Sequence, residues 1–318
     1  MSVLCLEELS SPALDALDRS RTVIILGASP LEEHGPHLPV GVDVFAARHF
    51  AHALAERLVT ARPGCTVVVG PVLPLGSFAF DAVGTFAVRQ RVVRDLLVDY
   101  GRSLARTGFR YIFLANGHAG PGHLVALEEA AAIVSRRHGI LMASVTGYLA
   151  WAFLRGRLLP KLEAALGRPL APEERRALTE DAHAGWWETS MMLLVRPDLV
   201  DERYRTLPPA RYTLAQRLRP SYPTRDGGQG YVGHPALADP VFAKAALEVL
   251  TTEALQVIED LLDGRLPPGR RRSPFFAVPF LRTGFWPAAA TVAIAAGAAW
   301  WLARGSRPRL RSDRKSVV

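Results

Sequence analysis

The chain of 318 residues contains little cysteine and no stretch that is typical of a secretory signal. Its two cysteines, Cys5 and Cys65, provide neither a disulfide framework nor a cysteine-rich zinc site. The N-terminal stretch lacks a basic segment followed by an apolar one, so we expect the folded domain to remain in the cytoplasm. No basic stripe interleaved with aromatic residues runs through the body of the chain, which argues against nucleic-acid binding.

Apolar runs alternate with amphipathic stretches, and this alternation predicts an α/β fold with a mostly parallel sheet. The predicted strands cover residues 22–26, 65–69, 110–114 and 140–145. Helices are predicted over 1–20, 44–61, 87–107, 124–138, 169–180, 191–195 and 240–262, and a long surface loop over 201–235. A chain of this length can form one large domain with a full core.

The composition changes after Gly264, which divides the chain into four predicted parts. They are a catalytic domain (1–264), a Pro/Arg-rich linker (265–284), an apolar C-terminal helix (285–303) and a basic tail (304–318). The apolar stretch has no charged residue, and as a helix it would span roughly 28 Å, which is close to the hydrocarbon thickness of a bilayer.

Tryptophans near both ends of this stretch, Trp286, Trp300 and Trp301, are typical of membrane interfaces. We therefore predict a single transmembrane span that anchors the cytoplasmic domain to the membrane. A buried or interfacial helix is the alternative, since the middle of the stretch is rich in Ala and Gly. Both flanks are basic, so the positive-inside rule does not select an orientation.

Acidic and imidazole side chains follow the first predicted strand on a loop. Glu32, His34 and Asp43 lie within twelve residues, at the carboxyl end of a strand, where α/β proteins bind ligands. Such crowding is costly unless a cation lies among the groups, and the mixture of ligand types suits Zn²⁺, Mn²⁺ or Fe²⁺. A solvated polar loop is the alternative interpretation.

Two later segments add further ligand-type residues. His118 follows the predicted strand 110–114, and His183 and Glu188 precede an apolar helical stretch. Together with the first loop they could hold two divalent ions that share one carboxylate. A hydroxide held between two such ions is a nucleophile at neutral pH, and either ion can polarise a carbonyl group. This combination predicts hydrolysis of an amide or related C–N bond.

The order and spacing of these residues resemble the creatininase (creatinine amidohydrolase) family over residues 20–262. The family's motif Gly-Ser-x-Glu-x-His-Gly-x-His-Leu-Pro-x-x-x-Asp corresponds to residues 28–43, with one extra residue between Ser29 and Glu32. The motif Asn-Gly-His-Gly-Gly-Asn corresponds to residues 116–121, and His-Ala-Gly-x-x-Glu-Thr-Ser is complete at 183–190. Departures are Ala119, Pro121 and, in a weaker fourth motif at 230–235, His234 in place of Asp.

The resemblance implies a three-layer α/β/α sandwich, a binuclear metal centre with two divalent ions per chain, and a homo-oligomer. In this family Glu32 and His118 would bind one ion, His34 would bind the other, and Asp43 would bridge them. Creatininase has a further Glu ligand where this chain has Gly120, so we expect Glu188 to replace it and to take part in catalysis. His183 matches the acid/base that protonates the leaving nitrogen, a role that suits its near-neutral pKa.

The remaining expectations concern residues around the metals. His37 and Ser29 are predicted to support the ligands without binding metal. The predicted substrate-binding residues are Asn116, Trp151, Trp186 and Trp187, and core packing is the alternative for each tryptophan.

Three functions remain open from the sequence. The leading hypothesis is a membrane-tethered hydrolase of a small non-peptide or cyclic amide. The second is a peptidase that matures a peptide-derived cofactor, as in the mycofactocin relatives of the family. The third is a catalytically silent, membrane-anchored binding protein, which the altered second and fourth motifs suggest.

Overall fold

A parallel sheet with helices on both of its faces positions the candidate site. The computed structural model describes residues 3–225 and 227–305, without the side chains of 302–305. Within these residues the strands are β1 (Val3–Cys5), β2 (Thr22–Ala28), β3 (Thr66–Leu73), β4 (Tyr111–Ala115) and β5 (Leu141–Ser144). They lie in the order β1-β3-β2-β4-β5, and every pairing is parallel. The predicted α/β fold and parallel sheet are confirmed.

The helices follow the strands along the chain. They are α1 (Ser11–Asp15), α2 (Val42–Ala61), α3 (Gln90–Arg106), α4 (Pro121–His138), α5 (Thr146–Leu154), α6 (Leu159–Leu166), α7 (Pro172–Glu180), α8 (Trp186–Val195), α9 (Leu214–Arg217), α10 (Pro240–Leu262) and α11 (Phe285–Gly305). Short 3₁₀ turns lie in several of the connecting segments, including the predicted surface loop at 201–235.

Alternate residues of β2 belong to two separate hydrophobic cores. Val23 and Ile25 pack on the face that α2, α8 and α10 cover. Ile24 and Leu26 pack on the opposite face with residues of α3 and α4. A strand that is buried on both faces has a continuous apolar sequence, which is why the run from Thr22 to Leu26 predicts this central strand.

The N-terminal prediction is wrong, because residues 1–20 do not form one helix in the described part. Residues 3–5 pair with β3 as an edge strand, and a helix of five residues follows at Ser11–Asp15. A short isolated helix is only marginally stable. Residues 3–5 instead form their backbone hydrogen bonds with β3. Helix α8 also begins at Trp186, five residues before the predicted start.

The C-terminal part extends beyond the core in an exposed helix. Its helical segment, Phe285–Gly305, contains the predicted stretch 285–303, and Val292, Ile294 and Trp301 are largely exposed. Among the described residues, however, no helix has both the length and the hydropathy that a membrane crossing requires. The predicted transmembrane span and membrane anchoring are therefore not confirmed. Alanine dominates the segment, and its small side chain adds little apolar surface.

The segment predicted as a linker, 265–284, contacts α4. Ser273 donates hydrogen bonds to Glu128 through its backbone nitrogen and its hydroxyl, and Arg282 forms a 2.6 Å ion pair with Glu129. We call residues 266–284 the C-terminal strap. Residues 306–318 of the predicted basic tail lie outside the described residues.

Candidate metal centre

Three buried side chains come from the loop after β2 and the start of α2. Glu32, His34 and Asp43 are almost completely buried. Asp43 lies in the first turn of α2, where the helix dipole favours a negative charge. His34 Nδ1 donates a 2.9 Å hydrogen bond to the backbone carbonyl of Glu32. This bond fixes the tautomer and directs Nε2, the other ring nitrogen, toward the carboxylates.

Two groups of ligand-type atoms meet at Asp43. His118 Nδ1 lies 3.1 Å from Glu32 Oε2 and 3.1 Å from Asp43 Oδ2. On the other side, His34 Nε2 lies 3.6 Å from Asp43 Oδ1 and 3.5 Å from Glu188 Oε2. Each group offers three ligand atoms that lie within 4.8 Å of one another. The structure therefore brings all five predicted metal ligands together, with Asp43 common to both groups.

Several polar atoms in these groups lack partners. In the described part of the chain, no hydrogen bond of standard geometry reaches Glu32 Oε2, His34 Nε2 or either carboxylate oxygen of Asp43. A buried polar atom without a partner costs about 1–3 kcal/mol, and more when the group is charged. A bound cation would provide a partner for buried carboxylate oxygens and imidazole nitrogens that face one another. This set of ligand atoms therefore fits two divalent ions.

The electrostatics of the groups are strongly coupled. Burial lowers the pKa of His34, but the carboxylates of Asp43 and Glu188 outweigh burial and raise it to about 10. Burial likewise opposes ionisation of Asp43, yet His118 and His34 hold its pKa below the ordinary range. The pKa of Glu188 rises to about 7, mainly because the carboxyl is buried. Such shifts mark a site where charges are concentrated away from water.

His183 lies on the loop that precedes α8, and one of its ring nitrogens forms a third possible ligand group with Glu32 and His34. Its ring centroid is 4.3 Å from that of His34, and its Nε2 donates a 2.7 Å hydrogen bond to the backbone carbonyl of Glu33. Burial and the neighbouring His34 lower the pKa of His183 to about 4. The imidazole is therefore neutral at pH 7, and its Nδ1 is free of a proton and 3.9 Å from Glu188 Oε2.

The loop that carries His118 is held by Asn116 and Ser29. Asn116 Oδ1 accepts hydrogen bonds from the His118 backbone nitrogen at 2.9 Å and from Ser29 Oγ at 3.0 Å. Ser29 Oγ in turn accepts a 3.0 Å bond from the backbone nitrogen of Gly117. His123 Nε2, 3.1 Å from Asn116 Oδ1, adds to the same network. Two strand ends are thereby joined at the ligand loop.

His37 contacts the helix that carries Glu188. Its Nε2 is hydrogen-bonded to Thr189 Oγ1 at 2.9 Å, and its ring meets Tyr231 edge-on. Because Thr189 directly follows Glu188, this bond ties the first ligand loop to α8. His37 itself lies in none of the ligand groups of the described residues.

A narrow apolar cavity of about 90 Å³ lies next to the ligand groups. His118, Glu188 and Asn116 form its polar side, and Phe50, Leu149, Phe153, Met191 and Leu250 contribute apolar surface. Its volume is smaller than the about 150 Å³ cavity that admits benzene. The cavity therefore suits a small apolar group next to the metal ligands.

The three predicted substrate-binding tryptophans have different surroundings. Trp187 lines the cavity next to Glu188. Trp186 is buried in the core and stacks on Phe242 with ring centroids 4.2 Å apart, so it follows the core-packing alternative and does not line the cavity. Trp151 lies beside Tyr148 and under the guanidinium of Arg157 rather than in the cavity lining. The side chain of a helical residue follows the packing of the helix, which a sequence motif does not specify.

Two contributors to the site have no signal in the motifs. The backbone nitrogen of Phe80 donates a 2.6 Å hydrogen bond to Glu32 Oε1, and its ring packs edge-on against His183. Asp181 is buried and accepts hydrogen bonds from the backbone nitrogens of Trp186 and Trp187, which caps α8. An acidic residue shortly before an apolar helical run is a capping signal, and it could have identified Asp181.

Gly120 allows the close approach of His118. A Cβ atom added at Gly120 would lie 2.3 Å from His118 Nε2 and 2.9 Å from the carbonyl oxygen of Phe78. No side chain fits there while His118 keeps this position. Position 120 therefore provides no side-chain ligand in this chain. His234, the altered residue of the fourth motif, is hydrogen-bonded to Glu180 at 2.6 Å.

Comparison with known proteins gives one family. The creatininase family, described as creatinine amidohydrolase, matches residues 7–258. A mycofactocin precursor peptide peptidase from Mycolicibacterium smegmatis is 29% identical over 224 residues, which is 68% of this chain and 76% of that protein. Creatinine amidohydrolase from Pseudomonas putida is 28% identical over 249 residues, covering 77% of this chain and 90% of that protein.

Solved structures share the fold. A mutant creatininase of the Zn-Zn type superposes with a TM-score of 0.60 at 22% identity, over 84% of this chain and 100% of the other. A manganese creatininase superposes with a TM-score of 0.59 at 23% identity over the same shares.

Proposed function

Because the chain belongs to the creatininase (creatinine amidohydrolase) family, a family of metal-dependent hydrolases, we propose that residues 1–264 form a catalytic domain that hydrolyses a C–N amide bond. The family match over residues 7–258 supports these bounds. The protein is therefore an amidohydrolase, and the proposal concerns its metal ligands, its proton-transfer residue and its substrate class.

We assign one divalent ion to Glu32, Asp43 and His118, and a second to His34, Asp43 and Glu188. The single observation that carries this assignment is the set of buried ligand atoms without hydrogen-bond partners around Asp43. Imidazole and carboxylate ligands suit Zn²⁺, Mn²⁺ or Fe²⁺. The Zn-Zn and manganese types of the structural neighbours support the same choice of metals.

When bound there, the two ions would supply an activated water and polarise the substrate carbonyl. His183 would accept at Nδ1 the proton that the attacking water releases, since its Nε2 proton is held by the carbonyl of Glu33. It would then deliver that proton to the leaving nitrogen. A low pKa favours this delivery, because the protonated imidazole is a strong acid.

The remaining residues near the metals would either hold the ligand loops in place or contact the substrate. Asn116, Ser29 and His37 hold the ligand loops and α8 in register through the hydrogen bonds described above. Trp187 would contact the substrate where it lines the apolar cavity beside Glu188. Glu188 would bind the second ion through Oε2, which lies 3.5 Å from His34 Nε2, and its proposed part in catalysis is to hold that ion beside the cavity.

For the substrate class we favour a small non-peptide or cyclic amide, which is the hypothesis that the size of the cavity supports. The second candidate is a short peptide, as the mycofactocin precursor peptide peptidases suggest. The apolar lining of the cavity favours this candidate, since one aliphatic side chain would fit beside the metal ligands.

A hydrolysis assay with metal-loaded protein tests the proposal. Creatinine represents the cyclic amides, and a peptide that ends in Val-Tyr represents the peptide candidates. We expect turnover of one class that disappears after chelation and returns with Zn²⁺ or Mn²⁺. A protein that holds metal but hydrolyses neither an extended panel of amides nor peptides would favour the catalytically silent alternative.

A further inference from the structure

A second cavity lies on the side of α4 that faces the C-terminal strap. Its volume is about 520 Å³, and α4, the end of β5, α10 and the strap form its walls. This volume is within the range of small-molecule pockets. The strap residues that close the cavity lie beyond the part of the chain that the family matches, residues 7–258. The wall of the cavity therefore combines residues of the matched region with residues that follow it.

The cavity has an excess of positive charge. Arg136, Arg271, Arg272 and Arg282 line it, together with one acidic residue, Glu128. Arg282 forms an ion pair with Glu129 at 2.6 Å. In the described part of the chain, the other three arginines form no salt bridge with a carboxylate, although Arg272 lies within electrostatic range of Glu128. Even when Glu128 and Glu129 are both counted as ionised, the four arginines leave an excess of two positive charges.

Aromatic rings hold these guanidinium groups near one another. The guanidinium carbons of Arg272 and Arg282 lie 4.1 Å and 3.7 Å from the centroid of the Phe276 ring. Arg271 lies 5.1 Å from the ring centroid of Tyr148. Cation–π contacts order the groups, but the repulsion between neighbouring cations remains. An anion in the cavity would relieve that repulsion and gain charge-assisted hydrogen bonds.

The floor of the cavity offers an unused polar group. Ser144, at the end of β5, is 9% exposed, and its buried Oγ has no hydrogen-bond partner. The residue lines the same cavity as the arginines. Both carboxylate oxygens of Glu128, in contrast, accept hydrogen bonds from Ser273 of the strap. Glu128 therefore binds the strap, while the Ser144 hydroxyl in the cavity wall has no hydrogen-bond partner among the described residues.

We propose that this cavity binds the phosphate group of a small phosphate monoester. The excess of at least two positive charges is sufficient to balance the charge of about −1.5 to −2 that a phosphate monoester carries at pH 7. Guanidinium groups offer paired donors to such an oxyanion. Met142, Val257 and Leu261 line the cavity further in and would contact an apolar part of the same molecule. The site is separate from the metal ligands, and its occupancy does not depend on the proposed reaction.

Isothermal titration calorimetry with inorganic phosphate and phenyl phosphate tests the proposal on the full chain. We expect saturable binding, with phenyl phosphate tighter than phosphate. Arg271→Gln combined with Arg272→Gln should weaken binding at least about tenfold, because two charged donors are lost. Arg270→Gln is the matched control, since Arg270 neighbours these residues but does not line the cavity. Ser144→Ala should weaken binding by a smaller factor.

Phosphate could also bind at the metal centre or come from a lipid headgroup, and the variants distinguish these sources. Binding that persists unchanged in the Arg271/Arg272 double variant lies elsewhere and overturns the proposal, as does the absence of binding at tens of millimolar. Sedimentation with phosphatidic acid vesicles, compared with phosphatidylcholine vesicles, identifies a lipid source if association depends on the same two arginines. Binding of soluble phenyl phosphate without such association identifies a free metabolite.

Discussion

Replacing Glu128 by Gln should change how the stability of the protein depends on pH. Glu128 is 2% exposed and lies on α4, where it receives both hydrogen bonds from Ser273 of the strap. Burial raises its pKa from 4.5 to about 7, although the hydrogen bonds from Ser273 and the charges of Arg272 and Arg282 oppose the shift. The folded protein therefore holds this proton to a higher pH than the unfolded chain does.

The sign and size of the effect follow from that difference. Between about pH 4.5 and pH 7 the folded state binds more protons at Glu128 than the unfolded state, so the free energy of unfolding falls as the pH rises. One pKa unit corresponds to about 1.4 kcal/mol, and the full loss is therefore about 3 kcal/mol. Gln cannot ionise, so Glu128→Gln avoids this loss while it can still accept a hydrogen bond from Ser273.

The assay is guanidinium chloride unfolding of the wild type and of Glu128→Gln at pH 5 and pH 8 in phosphate-free buffer. Relative to the wild type, the variant should gain about 2 kcal/mol or more between the two pH values. Glu173→Gln, a change at an exposed residue, serves as the control and should show no such gain. If the stability difference between wild type and Glu128→Gln stays constant with pH, the claim that burial raises the pKa of Glu128 in the folded protein is refuted.

Three further predictions concern the metal centre. Asp43→Asn should remove both ions, since Asp43 belongs to both ligand groups, and metal analysis after dialysis measures this loss. His183→Gln should lower kcat by about 10²- to 10⁴-fold, as loss of a general acid does. The metal content of this variant should stay unchanged. A loss of metal would show instead that His183 is a ligand. Gly120→Ala should weaken metal binding by displacing His118, whereas Gly284→Ala, where an added Cβ meets nothing within 4 Å, should not.

The sequence predicts both the parallel sheet and the proximity of Glu32 and His118 for a common physical reason. Strands β2 and β4 are buried on both faces, so their sequences are continuous apolar runs, and Glu32 and His118 follow where those runs end. Parallel neighbours end at one edge of the sheet, which brings the residues after them together. Glu188 is expected from the family motif, and in this structure its Oε2 lies 3.5 Å from His34 Nε2.

Other features depend on tertiary contacts that no local pattern contains. Phe80 contacts Glu32 through a backbone nitrogen, and any residue type provides that group. Trp186 and Trp187 are adjacent in the sequence, but one stacks in the core and the other lines the cavity because α8 turns them to different sides. The strap has the Pro/Arg-rich composition of a linker, and its contacts with Glu128 and Glu129 appear only when α4 is in place.

The metal content of the protein tests the central claim most directly. Purified protein is stripped with a chelator, dialysed against Zn²⁺ or Mn²⁺, and analysed for bound metal together with Asp43→Asn prepared in the same way. The ligand groups predict two ions per wild-type chain and none retained by the variant. Wild-type protein that binds no divalent ion under these conditions, or a variant that binds as many ions as the wild type, would contradict the assignment.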